Sequence, residues 1–220
     1  MRTKRAYLAS GLLAGAAALA AVAALVAWGR GGDSATTLAA EPAAPACPKS
    51  SRASWQKLAN EIKAPVYCPS WLPQPLVGRF SGRFFNGRSV DPDRSYLVSF
   101  VWFDAGAGFV QEVHVNLRGY PGASRIPTCE DTLTVGGKTV RKKIPCFSDR
   151  QGRRQLGDGV TATVYTANQG ADMWHVLYAW RDRGSLYTLS EHVAPPYTYE
   201  QVIGHLDRMA GTLVRIEPAA

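Results

Sequence analysis

The stretch that most restricts the fold is residues 173–193, MWHVLYAWRDRGSLYTLSEHV. Trp174, Val176, Tyr178 and Trp180 recur at every second position, which sets four large side chains on one face of a strand. After Arg181-Asp182-Arg183-Gly184 the chain resumes with Leu186, Tyr187, Thr188 and Leu189, residues that suit a second strand. Gly184 can take the positive φ that a short hairpin loop needs. A hairpin carrying such an aromatic wall must bury it, and the sequence downstream supplies a cover. Thr198-Tyr199-Glu200-Gln201 is a T-x-x-Q capping box. It opens a helix whose Val202, Ile203, Leu206, Met209, Ala210 and Leu213 form one apolar stripe.

The preceding chain reads as shorter elements. Ser51 is expected to cap a short helix in which Trp55, Leu58 and Ile62 share a face and which Pro65 ends. Residues 65–73, PVYCPSWLP, are too proline-dense for a central strand and are expected to lie extended across a hydrophobic edge. Strands are expected at 76–85, 96–103, 109–117 and 160–166. In 96–103 both faces read as buried. In 109–117, Val113, Val115 and Leu117 face one way and Glu112, His114 and Asn116 the other, leaving one wet side. Residues 133–140 read as two β runs around a Gly-Gly turn. The predicted fold class is therefore α+β: a twisted antiparallel sheet of about five to seven strands, with the C-terminal helix packed on one face and a short N-terminal helix.

Residues 7–28 hold no charge over 22 positions and follow Arg2, Lys4 and Arg5. At about 1.5 Å per residue such a helix spans roughly 33 Å, enough to cross a bilayer. The positive flank keeps the N-terminus in the cytoplasm and sends the rest out. The expected organisation is a signal-anchor at 1–28, a flexible tether at 29–50 rich in Ala, Gly, Pro and Thr, and an extracytoplasmic domain at 51–217. A cleaved signal peptide is the competing reading, with small residues at Ala18-Leu19-Ala20 and Ala21-Val22-Ala23; it would release a secreted domain. A lipoprotein is disfavoured because Cys47 lies far beyond the apolar run.

Four cysteines in an exported chain read as two disulfides with three possible pairings. A two-residue Gly-Gly loop pairs Val135 with Lys138, which sets Cys129 opposite Ile144 and makes Cys146 its diagonal neighbour. Cys129–Cys146 is thus favoured, which leaves Cys47–Cys68. No C-x-x-C spacing supports zinc.

The formal net charge of +8 is unevenly placed. Residues 1–32 supply +4 and residues 138–154 supply +6, through Lys138, Arg141, Lys142, Lys143, Arg150, Arg153 and Arg154 against Asp149, so the remainder is slightly acidic. Nucleic acid is not implied by one local patch. A basic loop near a membrane instead suits anionic lipid headgroups, acidic envelope polymers or a protein partner.

Catalytic signatures are weak. Ser54-Trp55-Gln56-Lys57 matches S-x-x-K, but Lys138-Thr139 precedes Ser148-Asp149, the reverse of the order in penicillin-recognising enzymes, and Val140 and Arg150 replace their Gly and Asn. No G-x-S-x-G, H-E-x-x-H or phosphate loop occurs. Glu112 and His114 could hold a metal with Asp172 or His175, although a wet strand face carries such residues anyway. His192, beside Glu191, and His205 read as surface or capping residues. No metal, cofactor or catalytic residue is assigned.

Two stretches carry a resemblance: the short helix running into 64–73, APVYCPSWLP, and 176–188 with its Trp180, Gly184 and Tyr187, followed by the helix at 198–213. Together they resemble a broad family of bacterial membrane-anchored extracytoplasmic domains of unknown function, also found at the outer ends of some anti-sigma-factor proteins. The resemblance implies an antiparallel sheet with a packed terminal helix and no catalytic residues. The chain departs from the anti-sigma members in its first six residues, too short a cytoplasmic part to hold a sigma factor. The expected function is a non-catalytic, membrane-tethered binding module of the cell envelope. The alternatives are a carrier or sensor of an apolar ligand held between sheet and helix, and an envelope hydrolase.

Overall fold

The computed structural model describes residues 44–77, 83–106, 111–156, 159–167 and 174–219. The expected anchor at 1–28, most of the tether and Asp172 lie outside them. Among the described residues no helix is long and apolar enough to cross a membrane.

The aromatic hairpin sits inside the main sheet. Its strands, β9 (His175–Asp182) and β10 (Ser185–His192), join around Arg183 and Gly184, whose φ of 44° and 76° make the two-residue turn that matches strand twist. β10 pairs on its other side with β4 (Gln111–Tyr120), which pairs with β3 (Tyr96–Asp104) and then β2 (Arg83–Val90). β9 pairs with β8 (Thr161–Ala167), and β8 with the edge strand β7 (Asp149–Gln155). The seven strands run in the order β2-β3-β4-β10-β9-β8-β7, antiparallel throughout. Two smaller antiparallel sheets complete the α+β fold: β1 (Val66–Pro69) with β11 (Leu213–Ile216), and β5 (Thr128–Val135) with β6 (Lys138–Pro145).

One face of the sheet is dry. Val176, Tyr178 and Trp180 on β9 join Tyr187 and Leu189 on β10, Val113, Val115 and Leu117 on β4, and Tyr96 and Trp102 on β3 in one buried cluster. Helix α2 (Tyr199–Gly211) covers it with Val202, Leu206, Met209 and Ala210, while α1 (Lys49–Ile62) adds Trp55, Leu58, Ala59 and Ile62. Each buried Val, Leu, Ile or Met among them stabilises the fold by about 1.5–3 kcal/mol. The buried tyrosines direct their hydroxyls to partners: Tyr178 donates to Asp207 (2.7 Å), Tyr187 to the Pro65 carbonyl (2.9 Å) and Tyr67 to Asp182 (2.8 Å). The capping box forms as expected, with Gln201 N–H donating to Thr198 Oγ1 and Thr198 N–H to Gln201 Oε1.

Both cysteine pairs are bridged, Cys47–Cys68 and Cys129–Cys146, with Cα separations of 5.6 and 4.8 Å. The hairpin register is the one the Gly-Gly turn dictates, Val135 opposite Lys138 and Cys129 opposite Ile144.

Several local expectations change. Trp174 leaves the aromatic wall: it precedes β9 with φ 64° and stays 65% exposed. Ser51 does not cap α1, which begins two residues earlier; its hydroxyl donates back to the Pro48 carbonyl instead. Only Tyr96 and Trp102 of β3 are buried, and the others are half-buried because its neighbour β2 is the edge strand. Of the strand expected at 76–85, Leu76 lies in a turn, residues 78–82 are outside the described residues, and Arg83 onward belongs to β2. The sequence reading also missed β7 and β11.

Candidate functional site

Chemistry-bearing residues gather in two places away from the buried wall. The first is the sheet face opposite the helices. Alternation along β4 turns Glu112, His114 and Asn116 onto it, and cross-strand register brings Ser99 of β3 opposite Asn116. On the other side Ser190 of β10 pairs with Asn116, and His192 pairs with His175 of β9. Three of the chain's four histidines therefore converge: the ring centroids of His114 and His175 lie 5.1 Å apart, those of His175 and His192 5.1 Å, and those of His114 and His192 6.4 Å. Glu112 Oε1 stands between two imidazoles, 3.4 Å from His114 Nδ1 and 3.5 Å from His192 Nδ1.

This corrects the surface reading of His192, and it unites Glu112, His114 and His175 as the sequence suggested. The fuller cluster, with Ser99, Asn116 and Ser190, was missed, although hairpin register alone would have aligned His192 with His175. Among the described residues no group of three or more His, Cys, Asp and Glu is placed to hold a metal ion.

Ser99, His114 and Glu112 resemble a nucleophile, base and orienting acid, since Ser99 Oγ lies 3.0 Å from His114 Nε2. The hydrogen bonds argue otherwise. The Ser99 hydroxyl donates to Asn116 Oδ1, which also lies 3.0 Å from His114 Nε2. With that proton given to Asn116, the Ser99 hydroxyl is not directed at His114 Nε2. Ser99 is also mid-strand between β2 and β4, its backbone spent on the ladder, so its own N–H is not free to hold an oxyanion. Ser54 and Lys57 lie exposed on α1, apart from these residues.

The cluster is confined by a second apolar group on the same face. Phe147, 2% exposed, packs with Leu177, Ala179 and Leu186, flanked by Tyr120, Ile126 and Tyr165. The aromatic plug follows directly on Cys146 and seats the base of the β5–β6 hairpin.

That hairpin is the second place. Every β6 position except Ile144 is exposed, and the strand pairs with β5 alone. The hairpin projects as an arm, held at its base by Cys129–Cys146 and Phe147. Lys138, Arg141, Lys142 and Lys143 lie along the arm, while Arg150, Arg153 and Arg154 lie on the edge strand β7; all seven are exposed. Lys142 faces Asp131 and Lys143 faces Glu130 across the arm, and Arg141 Nη1 lies 3.3 Å from Glu130 Oε1. Arg154 pairs with Asp207 of α2 at 3.5 Å. Charge on β7 has a second physical role, since it protects a sheet edge from pairing with other chains.

The fourth histidine, His205 of α2, is neither a cap nor a free surface group: Nδ1 lies 2.8 Å from Glu191 Oε1, and Glu191 is fully buried beneath the helix. Burial pushes the Glu191 carboxyl above its ordinary range, with the His205 contact opposing.

No family model matches the chain, and no curated protein or solved structure matches it.

Proposed function

We propose that this chain is a non-catalytic module of the cell envelope, tethered to the membrane by its N-terminal segment, that uses the β5–β6 arm and the neighbouring β7 edge to bind an anionic surface. Lipid headgroups are the partner considered first. The observation that carries the reading is the arm, a disulfide-stapled projection with exposed cations along β6. An isolated two-stranded hairpin is marginal in water, so a bridge and an aromatic plug at its base suit a part whose outer faces must stay free. Two disulfides in one chain favour an oxidising compartment. The proton arrangement around Ser99 gives no support to a hydrolase.

The test replaces Arg141, Lys142 and Lys143 together by Gln and measures co-sedimentation of the full chain with phosphatidylglycerol-containing liposomes. At about 1 kcal/mol per surface cation, affinity should fall by roughly a hundredfold and the salt dependence should flatten. Unchanged co-sedimentation would exclude lipid headgroups. Retained binding to an acidic envelope polymer, lost in the triple variant, would place the arm's partner there.

A further inference from the structure

β7 closes one side of the seven-stranded sheet: among the described residues it is hydrogen-bonded to β8 and to no other strand. One row of its backbone N–H and C=O groups therefore faces away from the sheet. Register sorts its side chains between the two faces. Gly152 and Arg154 pair with Val164 and Ala162, which belong to the core beneath the helices, so both lie on the helix face. Arg150 and Arg153 pair with Tyr165 and Thr163 and lie on the opposite face, where Tyr165 packs against the Phe147 group. The register shifts between Arg150 and Gly152, which leaves 152–155 as the regular part of the edge.

A groove of about 370 Å³ runs along the helix face of this edge. Gly152 and Val164 line it from the sheet, Tyr199 and Ile203 from α2, and Gln151, Arg154 and Glu200 complete the lining. Among the described residues, chain neighbours apart, nothing lies within 4 Å of the place a Cβ on Gly152 would take. The groove is thus open directly over the strand, and Tyr199 beside it is 41% exposed. Arg154 is already engaged, paired with Asp207 (3.5 Å) and donating to the Arg153 carbonyl (3.2 Å). Arg150 and Arg153 stay exposed on the other face. A second copy of β7 laid along the edge would set arginine against arginine, and like charges opposed across a ladder disfavour pairing, whereas opposite charges favour it. The edge repels itself and suits a strand with carboxylates on one face and an apolar residue on the other.

We propose that β7 is a docking edge for a short extended acidic peptide, which adds one antiparallel strand to the sheet, sets carboxylates against Arg150 and Arg153, and seats an apolar side chain over Gly152 beside Val164, Ile203 and Tyr199. This goes beyond the anionic-surface reading, because backbone pairing and an apolar anchor recognise a strand, which a lipid headgroup does not supply.

The experiment is fluorescence anisotropy of fluorescein-labelled Glu-Thr-Glu-Leu-Glu-Thr-Glu-amide titrated with the full chain. The peptide should bind saturably, and replacing its Leu by Gly should weaken it about tenfold through loss of the apolar anchor. Along an extended peptide the backbone groups point alternately to the two edges, so only one alternate set can meet β7. N-methylation at the Glu positions and N-methylation at the Thr and Leu positions should therefore act unequally, one pattern abolishing binding and the other sparing it. The double variant Arg150→Gln, Arg153→Gln should weaken the unmodified peptide about fivefold, as expected for two exposed ion pairs. The triple Gln variant of the arm should bind it like the native chain. An equal effect of the two methylation patterns would reduce binding to charge attraction and overturn the docking edge. Loss of the peptide in the arm variant would place it on the arm and overturn the site as well. The titration contains no lipid, so its outcome and that of the liposome assay are read separately.

Discussion

Tyr96 lies against Gly119, its register partner on the neighbouring strand, and a Cβ built there would overlap the Cε1 edge of the ring. The glycine is thus a seat for a buried aromatic, and Gly119→Ala should destabilise the chain by about 1–3 kcal/mol, read as a lower urea midpoint. An unchanged midpoint would mean the ring has room to swing. Glu191 poses the opposite problem, a carboxyl buried with one oxygen, Oε2, lacking a hydrogen bond. Its folded pKa is raised above the unfolded value, so its contribution is fully present below the ordinary carboxylate range and is lost as pH rises through the raised folded value. Glu191→Gln should flatten that loss and raise the melting temperature at neutral pH relative to the native chain. A pH profile identical in both chains would remove Glu191 as its source. At this scale position in the strand outweighed polarity: Glu191 shares parity with Tyr187 and Leu189, and that parity placed it under the helix despite its charge.

Among the elements, the arm was the most legible, because a two-residue turn fixes register and register fixes which cysteine meets which. The Cys129–Cys146 bridge spans 17 positions and anchors the arm's base. Replacing both cysteines by Ala should therefore accelerate tryptic cleavage at residues 141–143 by about tenfold, with the seven-stranded sheet still folded. Equal cleavage in both chains would show that Phe147 alone holds the arm. The capped helix α2 was equally plain, since cap and stripe agree. β7 was not, because its sequence DRQGRRQ offers no alternating apolar pattern; it is a strand because β8 presents an open edge to it. β11 was hidden for another reason, since Leu213 continues the periodicity of the helix that ends just before it.

For the whole molecule, the basic run from Lys138 to Arg154 is continuous in sequence but divided in space between a projecting arm and a sheet edge. The three-fold Gln substitution on the arm should leave the melting temperature unchanged, since those side chains are exposed and outside the core. A lowered melting temperature would make reduced liposome binding a folding effect. The sequence by itself determined the α+β architecture, the aromatic wall with its helical cover, and both disulfides. All but one follow from short-range periodicity, a cap or a turn, and such signals are local; Cys47–Cys68 follows by elimination once the hairpin has paired the other two cysteines. Only the tertiary structure decided that His114 of β4 joins the His175–His192 pair of the hairpin, and that Glu191 is buried against His205. Those features arise where separate strands meet, and strand order across a sheet is set by global packing, which no local pattern encodes.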